Sequence, residues 1–330
     1  MRYLLNTSHD PFFNTAFDSY VLENTRFEGF YLWQNKPSVI VGMNQSVYAE
    51  VNLPYIREHG IELVRRVSGG GAVYHDLGNV NYTFIGYEDG PSRIAESLRR
   101  MGVPAELTGR NDIMVDGRKC SGYAKRLAAG RIMVHGTLMF NVNLEDLTGA
   151  LAAPGSKLSA SGVKSVRSRV ANLKEYLPFD TVEGFIQALS VSLLETTGTV
   201  TGGEGGSRYS QSDGGPSFPD LFQESLSERQ LAEIESVASS KFRSWEWIYG
   251  HSPSSEFRNS KRFPCGTVTV NYSLNRGRLK DVSFEGDFIG PKPASELAAA
   301  MAGRRIEDLM DLKIDDYFDN LSITDFLKLF

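Results

Sequence analysis

The sequence predicts a mixed α+β (α/β mixed) protein: one large domain built on a mainly antiparallel sheet, followed by a small α+β domain. Three observations carry this. Apolar residues make up 41% and charged residues 23% of 330 residues, a composition that forms cores and excludes wholesale disorder, in a chain longer than one core comfortably serves. Strand-like and helix-like segments are mixed, without the strict alternation that a doubly wound parallel sheet would show. Asp116-Gly117 and Ala129-Gly130 are two-residue turn signals between neighbouring extended runs, which is how hairpins are written in sequence.

Taken in order, Asp10 reads as an N-cap followed by proline at the first helical position, and Phe13, Ala16, Phe17, Tyr20 and Val21 then recur at helical spacing. Extended segments at 29–33 and 38–41 are split by Asn35-Lys36-Pro37. A short helix near 53–58 and strands at 61–66, 72–74 and 80–85 follow. Ile94, Ala95, Leu98 and Met101 make one face of a helix over 91–101. Residues 111–143, with their two turns, predict an antiparallel meander. Asp180-Thr181-Val182-Glu183 has the spacing of a capping box with Asp in the capping position, opening a helix that carries Phe185, Ile186, Leu189 and Leu193. The glycine- and serine-rich stretch 201–217 is expected to be a flexible loop or disordered insertion. Residues 251–260, polar and aperiodic, read as a second boundary. Beyond them, 266–288 alternates around Asn275-Arg276-Gly277, and helical patterns close the chain. The division expected is 1–248 and 249–330.

Bulk properties narrow the function. The net charge of -5 gives no long-range attraction for a polyanion, so nucleic acid is not expected as a partner. Two cysteines, Cys120 and Cys265, cannot make a disulfide framework, no metal-ligand spacing occurs, and neither a signal peptide nor an apolar run of membrane-spanning length is present. A cytoplasmic protein without a membrane partner, and a monomer, is expected.

Chemistry concentrates in three stretches. In R-R-V-S-G-G-G-A-V-Y-H-D-L-G-N (65–79), three consecutive glycines follow a basic pair. The spacing fits neither the Walker A loop nor the dinucleotide fingerprint, since no Gly-Lys-Ser/Thr follows and Tyr74 stands where a third glycine belongs. What remains is either a tight turn beside a solvated basic pair, or backbone N–H groups free to approach an anion or a flat ligand. In G-R-N-D-I-M-V-D-G-R-K-C-S-G-Y-A-K-R (109–126), Lys119 precedes the small pair Ser121-Gly122, and its ammonium could neutralise a carboxylate and a phosphate together; a solvated strand lysine is the plain alternative. Asp112 could order an arginine, a ribose or a metal, or cap a turn. In V-H-G-T-L-M-F (134–140), His135 and Thr137 are candidate polar contacts or ordinary strand residues. Cys120, beside a lysine with no histidine near in sequence, reads as a buried small residue rather than a nucleophile.

Those segments, in that order and together with S-V-R-S-R-V-A-N-L (165–173) and S-W-E-W-I-Y-G (244–250), closely resemble the signature segments of lipoate-protein ligases, in their long two-domain form. The resemblance implies the biotin/lipoyl ligase fold related to class II aminoacyl-tRNA synthetases. It implies ATP, Mg2+ and lipoate as ligands, a lipoyl-adenylate intermediate, and transfer to a lysine of the lipoyl domains of 2-oxo acid dehydrogenase acyltransferases or of the glycine-cleavage H protein. By the same likeness Lys119 is the central catalytic residue. Arg66, Gly69, Gly70, Gly71, Ala72, Val73, Tyr74 and His75 form the lipoate and nucleotide loop, with Arg66 facing the phosphate. Arg110, Asp112, His135 and Thr137 contact the adenylate, and 162–172 closes over it. Cys120 and Tyr123 depart from the usual pattern, which predicts an acyl pocket of different shape. The competing readings are an ATP-independent octanoyl transferase carrying its acyl group on a cysteine, and a catalytically silent acyl-binding protein.

Overall fold

The computed structural model describes residues 1–108, 111–151, 169–195 and 223–330. Strand β1 (Arg2–Leu4) leads to helix α1 (Pro11–Asn24), which Asp10 caps by accepting from the backbone N–H of Phe12 and Phe13. Then come β2 (Gly29–Trp33), β3 (Ser38–Val41), the short helices α2 (Val47–Glu50) and α3 (Leu53–Glu58), β4 (Glu62–Arg65), β5 (Val73–His75) and β6 (Asn79–Ile85). After α4 (Gly90–Arg100), strands β7 (Ala105–Thr108), β8 (Asp112–Val115), β9 (Arg118–Ala128) and β10 (Arg131–Met139) form the expected meander. Asp116 and Gly117 (φ 49° and 72°), like Ala129 and Gly130 (φ 50° and 70°), both take the left-handed conformation that a two-residue hairpin requires.

These strands make an eight-stranded sheet in the order β11-β1-β2-β6-β10-β9-β8-β7, where β11 is Gln223–Glu224. It is antiparallel from β2 through β7; only β1 runs parallel to its neighbours. A second sheet, β4-β3-β5, mixes one parallel and one antiparallel pair. Strand β2 shows why the large sheet is stable. Phe30 and Leu32 face a layer holding Ile94 and Leu98 of α4 and Phe185, Leu189 and Leu193 of α6 (Val182–Glu195), whereas Tyr31 and Trp33 face α1. Both faces are covered, so a five-residue strand is buried throughout.

After α5 (Leu144–Ala150), α6, α7 (Glu228–Val237) and α8 (Trp245–Ile248), the carboxy-terminal part has its own three-stranded sheet of β12 (Ser255–Phe263), β13 (Gly266–Asn275) and β14 (Arg278–Gly286). Helices α9 (Ala294–Met301) and α10 (Ile323–Phe326) and three 3-10 turns accompany it. Arg276 and Gly277 form the β13–β14 hairpin turn.

Two sequence expectations change. Residues 251–260 are half strand, because β12 is an edge strand whose exposed E-x-R-x-S-K-R residues hide the alternation; only Phe257 and Phe263 of it join the core. The α6 cap is one residue later than expected: the Thr181 hydroxyl accepts from Gly184 N–H, so Gly184 rather than Glu183 sits three positions on. The stretch 201–217 lies outside the described residues.

One buried side chain ties the turn between β3 and α2 to α8, the helix that leads into the carboxy-terminal part. Arg65, fully buried, donates to the carbonyls of Gly42, Met43 and Gln45 on one side and of Trp247 and Ile248 on the other, and to the Ser252 hydroxyl. Burial pulls its pKa down to about 10, which still leaves it a cation at neutral pH.

Candidate active site

A transverse row of residues on the large sheet makes a cleft floor. Trp33 pairs with Asn81, Asn81 with Thr137, and Gly122 with Asp112, while Gly122 N–H donates to Thr137 Oγ1 at 3.3 Å. Five adjacent strands, β2, β6, β10, β9 and β8, thus contribute one residue each. Neighbouring strands lie about 4.8 Å apart, so Trp33 and the β9 end of the row are separated by roughly 14 Å. The wall opposite is the glycine loop and the small β4-β3-β5 sheet, which bring Ile40, Arg66, Gly70, Gly71, Val73 and His75 to the same cleft.

Lys119 stands at the β9 end. Strict alternation from Gly122 and Ala124, both cleft-lining, would turn Lys119 to the other face of β9. A bulge reverses this: Ile113 pairs with Ser121 but Met114 with Lys119, leaving Cys120 as the extra residue. The ammonium consequently lies over Gly122, where a Cβ would be 3.1 Å from Nζ, and 2.7 Å from Asp112 Oδ1. The Lys119 main chain also pairs with the returning segment, through Lys119 N–H to Arg169 O and Ala171 N–H to Lys119 O.

The three glycines differ in their reasons. Gly70 has φ +91°, a conformation that side chains avoid, and its carbonyl packs against Gly42, where a Cβ would be 2.2 Å away. A Cβ on Gly69 or Gly71 would meet nothing within 4 Å, so at these positions the missing side chain leaves open space. The loop is held from beneath by Arg66, whose guanidinium donates to Gly69 O (2.6 Å), Gly71 O (2.8 Å), Ile40 O (3.0 Å) and Ser68 Oγ (3.1 Å). Most of its donors are therefore directed at the loop itself, and Arg66 lines the cleft as a buried cation under the glycines. Burial lowers its pKa to about 10.

Between floor and helix α1 lies a buried polar chain. Asp18 accepts from Tyr31 Oη (2.6 Å), Thr83 Oγ1 (3.0 Å) and His135 Nδ1 (2.7 Å), and His135 Nε2 is 2.6 Å from Ser68 Oγ. The Asp18 carboxylate accepts the Nδ1–H, Nε2 pairs with the Ser68 hydroxyl, and the Ser68 oxygen also accepts from Arg66. Burial, followed by the Asp18 charge, raises the Tyr31 hydroxyl well above its ordinary pKa.

Of the sequence candidates, Arg66, Gly70, Gly71, Ala72, Val73, His75, Lys119, His135 and Thr137 line the one cleft, and Asp112 joins it through Lys119. Gly69 adjoins it without lining it. Tyr74 points away and meets Asp146 at 3.4 Å, as strand alternation between Val73 and His75 demands. Arg110 and 162–168 lie outside the described residues. Cys120 is fully buried with its thiol on Ile113 O, and burial pushes its pKa up to about 12. It does not line the cleft; Tyr123 does. Sequence reasoning missed Thr15, Asp18, Trp33 and Asn81. The signal for the first two was a polar stripe, Asn14, Thr15, Asp18 and Ser19, on a helix that turns out to be buried on that side as well.

Among the described residues no group of three His, Cys, Asp or Glu side chains converges as a metal cage, and no helix is long and apolar enough to cross a membrane. Family comparison settles what the fold belongs to. The model for the lipoyl protein ligase A/B catalytic domain matches residues 10–193, and that for the bacterial lipoate protein ligase C-terminus matches 252–330.

The chain belongs to the lipoate-protein ligase family.

Similar relatives include the lipoate-protein ligase LplJ of Bacillus subtilis, 36% identical over 97% of both chains, and lipoate–protein ligase 1 of Staphylococcus aureus, 35% identical over 100% of this chain and 99% of that one. Among solved structures, the Plasmodium falciparum LipL1 complex with lipoate covers 99% of this chain and 96% of that chain, with TM-score 0.61 and 23% identity. The bipartite ligase of Thermoplasma acidophilum, studied with its E2 lipoyl domain, covers 76% of this chain and 97% of that chain, with TM-score 0.62 and 24% identity. The first likeness spans the large sheet and the carboxy-terminal sheet together, and the second supports the lipoate-protein ligase fold over the 76% of this chain that it covers. A lipoate-protein ligase A has also been solved with bound ATP, at TM-score 0.58 over 76% of this chain and 98% of that one.

Proposed function

We propose that this ligase activates lipoate with ATP in the cleft above the Trp33–Asn81–Thr137–Gly122 row and transfers it, through lipoyl-adenylate, to a lysine of a lipoyl domain. The observation that supports this best is the position of one ammonium. Lys119 stands at the β9 end of the cleft, opposite backbone that carries no side chains at Gly70 and Gly71.

In the first step a lipoate carboxylate oxygen bonds to the α-phosphorus of ATP, and the bond to pyrophosphate breaks. Two anions must approach each other. A fixed cation reaching both offsets their repulsion and the charge that builds on the phosphorus oxygens. Asp112 orients the Lys119 ammonium for this, and the buried Arg66 adds positive potential beneath the loop. In the second step the carrier amine attacks the acyl carbon and AMP leaves. Magnesium is taken as part of the nucleotide substrate, since the described carboxylates form no cage for it. Residues 249–330 are taken as the accessory part, which Arg65 reaches through the Ser252 hydroxyl. The glycine-cleavage H protein is a second carrier of the same class.

Cysteine chemistry finds no support, because the Cys120 thiol is buried away from the cleft and held protonated. The decisive experiment is lipoate-dependent exchange of pyrophosphate into ATP, followed by mass analysis of a lipoyl domain incubated with the protein. Acyl transfer that proceeds without ATP, or tight lipoate binding without AMP release, defeats the ligase reading.

A further inference from the structure

The cleft wall at the Trp33 end carries a hydrogen-bond donor that the chemistry at Lys119 does not use. His75 is 4% exposed, lines the cleft, and meets Trp33 edge-on at a ring-centre distance of 6.2 Å. Its protonation is fixed by a chain of amides. Asn14 Nδ2 donates to Ser8 O (2.8 Å), Gln34 O (2.9 Å) and Asn35 Oδ1 (2.9 Å), and Asn14 Oδ1 accepts from Asn6 Nδ2 (3.0 Å). With its oxygen committed to Asn14, Asn35 turns its amide nitrogen to His75, and Asn35 Nδ2 lies 3.0 Å from His75 Nδ1. An amide N–H can only donate, so Nδ1 is the acceptor and the ring proton sits on Nε2. Burial and the Arg66 charge pull the pKa of the ring to about 3, so it is an uncharged donor at any physiological pH. Nε2 finds no acceptor among the described residues.

A buried N–H left without an acceptor is unfavourable, so the site gains by whatever brings one there. The position says what that acceptor belongs to. Lys119 holds the carboxylate end of the acid, and His75 is beside Trp33, roughly 14 Å across the sheet by strand spacing. An extended eight-carbon acid bound to Lys119 brings its tail into that region. Lipoate carries two dithiolane sulfurs at the tail, weak and uncharged acceptors; octanoate carries only methylene and methyl groups there.

We propose that His75 Nε2–H reads the dithiolane sulfurs and thereby sets the preference for lipoate over octanoate. The inference rests on the ligase reading above. A neutral donor suits this task, because a charged imidazolium would be desolvated by an apolar tail and would draw a carboxylate to the wrong end. Asn35 and Asn14 act as positioning residues for the tautomer.

The test compares kcat/KM for lipoate and for octanoate in the pyrophosphate exchange assay. For His75→Phe, which keeps a ring of similar breadth, the lipoate-to-octanoate ratio is expected to fall about tenfold, as for a site deprived of a substrate-matching donor. An unchanged ratio, with both acids losing equally, overturns the proposal. If the variant does not fold, nitrogen-15 histidine NMR on the unmodified protein decides. The expected result is the Nε2–H form, with an Nε2 resonance that lipoate moves and octanoate does not. An Nδ1–H form, or equal shifts with both acids, overturns it. Absence of exchange with either acid in the unmodified protein sinks the ligase reading instead, and the NMR comparison still judges His75.

Discussion

Lys119 Nζ and Asp112 Oδ1 are 2.7 Å apart, directly above Gly122, at the one end of the cleft floor where a strand bulge reverses the side-chain alternation. The cation is thereby fixed in direction before any substrate arrives. Lys119→Ala removes it, and lipoate-dependent pyrophosphate exchange is expected to fall by on the order of 100-fold or more, with an unchanged far-UV spectrum and melting temperature. Exchange within tenfold of the unmodified protein rejects the role given to this residue.

Gly122 is the floor tile under that ammonium. An alanine there sets a methyl 3.1 Å from Nζ, and the flexible lysine end yields more easily than the sheet. Gly122→Ala is therefore expected to lower exchange about tenfold with little change in stability, whereas Gly136→Ala, whose methyl would lie 2.5 Å from the Tyr82 ring, is expected to destabilise by about 1–3 kcal/mol. Parallel urea titrations and exchange rates separate the two effects; equal losses of stability contradict the distinction.

Arg65 concerns the joint between the β3–α2 turn and α8. Arg65→Leu leaves carbonyls of Gly42, Met43, Gln45, Trp247 and Ile248 buried without their donor, a loss expected at about 3–5 kcal/mol. Lysine, with three donors in place of the planar fork, recovers only part of it. Chemical denaturation reads the difference directly, and a Leu variant as stable as the parent dismisses the clasp.

Acid should test the buried histidine. The folded pKa of His75 is depressed to about 3 from the ordinary 6.5, so below pH 6.5 the unfolded chain takes up a proton that the native state refuses. Its stabilising share is thus complete above pH 6.5 and is lost as pH falls towards 3, at about 1.4 kcal/mol per pH unit. Urea unfolding of the parent and His75→Phe at pH 7, 6, 5 and 4 should show the gap between them narrowing or reversing in favour of the variant as pH drops. Parallel curves refute the assignment.

Cys120 supplies the check on thioester chemistry. Buried against Ile113 O with its thiol protonated, it should resist iodoacetamide in the native state, and incubation with lipoate and ATP should leave no mass on it. A cysteine-bound acyl adduct detected by peptide mapping returns the transferase reading to contention.

Local signals decided much of this molecule. Asp10-Pro11 fixed where the first helix begins, Asp116-Gly117, Ala129-Gly130 and Arg276-Gly277 fixed three hairpins, and the ordered motifs around Ser68, Lys119 and His135 carried the family. Each depends on residues close in the chain, where backbone conformation and side-chain identity are directly coupled. Tertiary structure alone decided the rest. That Lys119 faces the cleft depends on a bulge paired with Ile113 and Met114; that Arg66 supports the glycine loop depends on Ile40 of a neighbouring strand; that Asp18 is buried depends on Tyr31, Thr83 and His135 closing over it. A sequence announces which groups are available. Which way each one points is a property of strand register and of packing between distant segments, and no local window contains it.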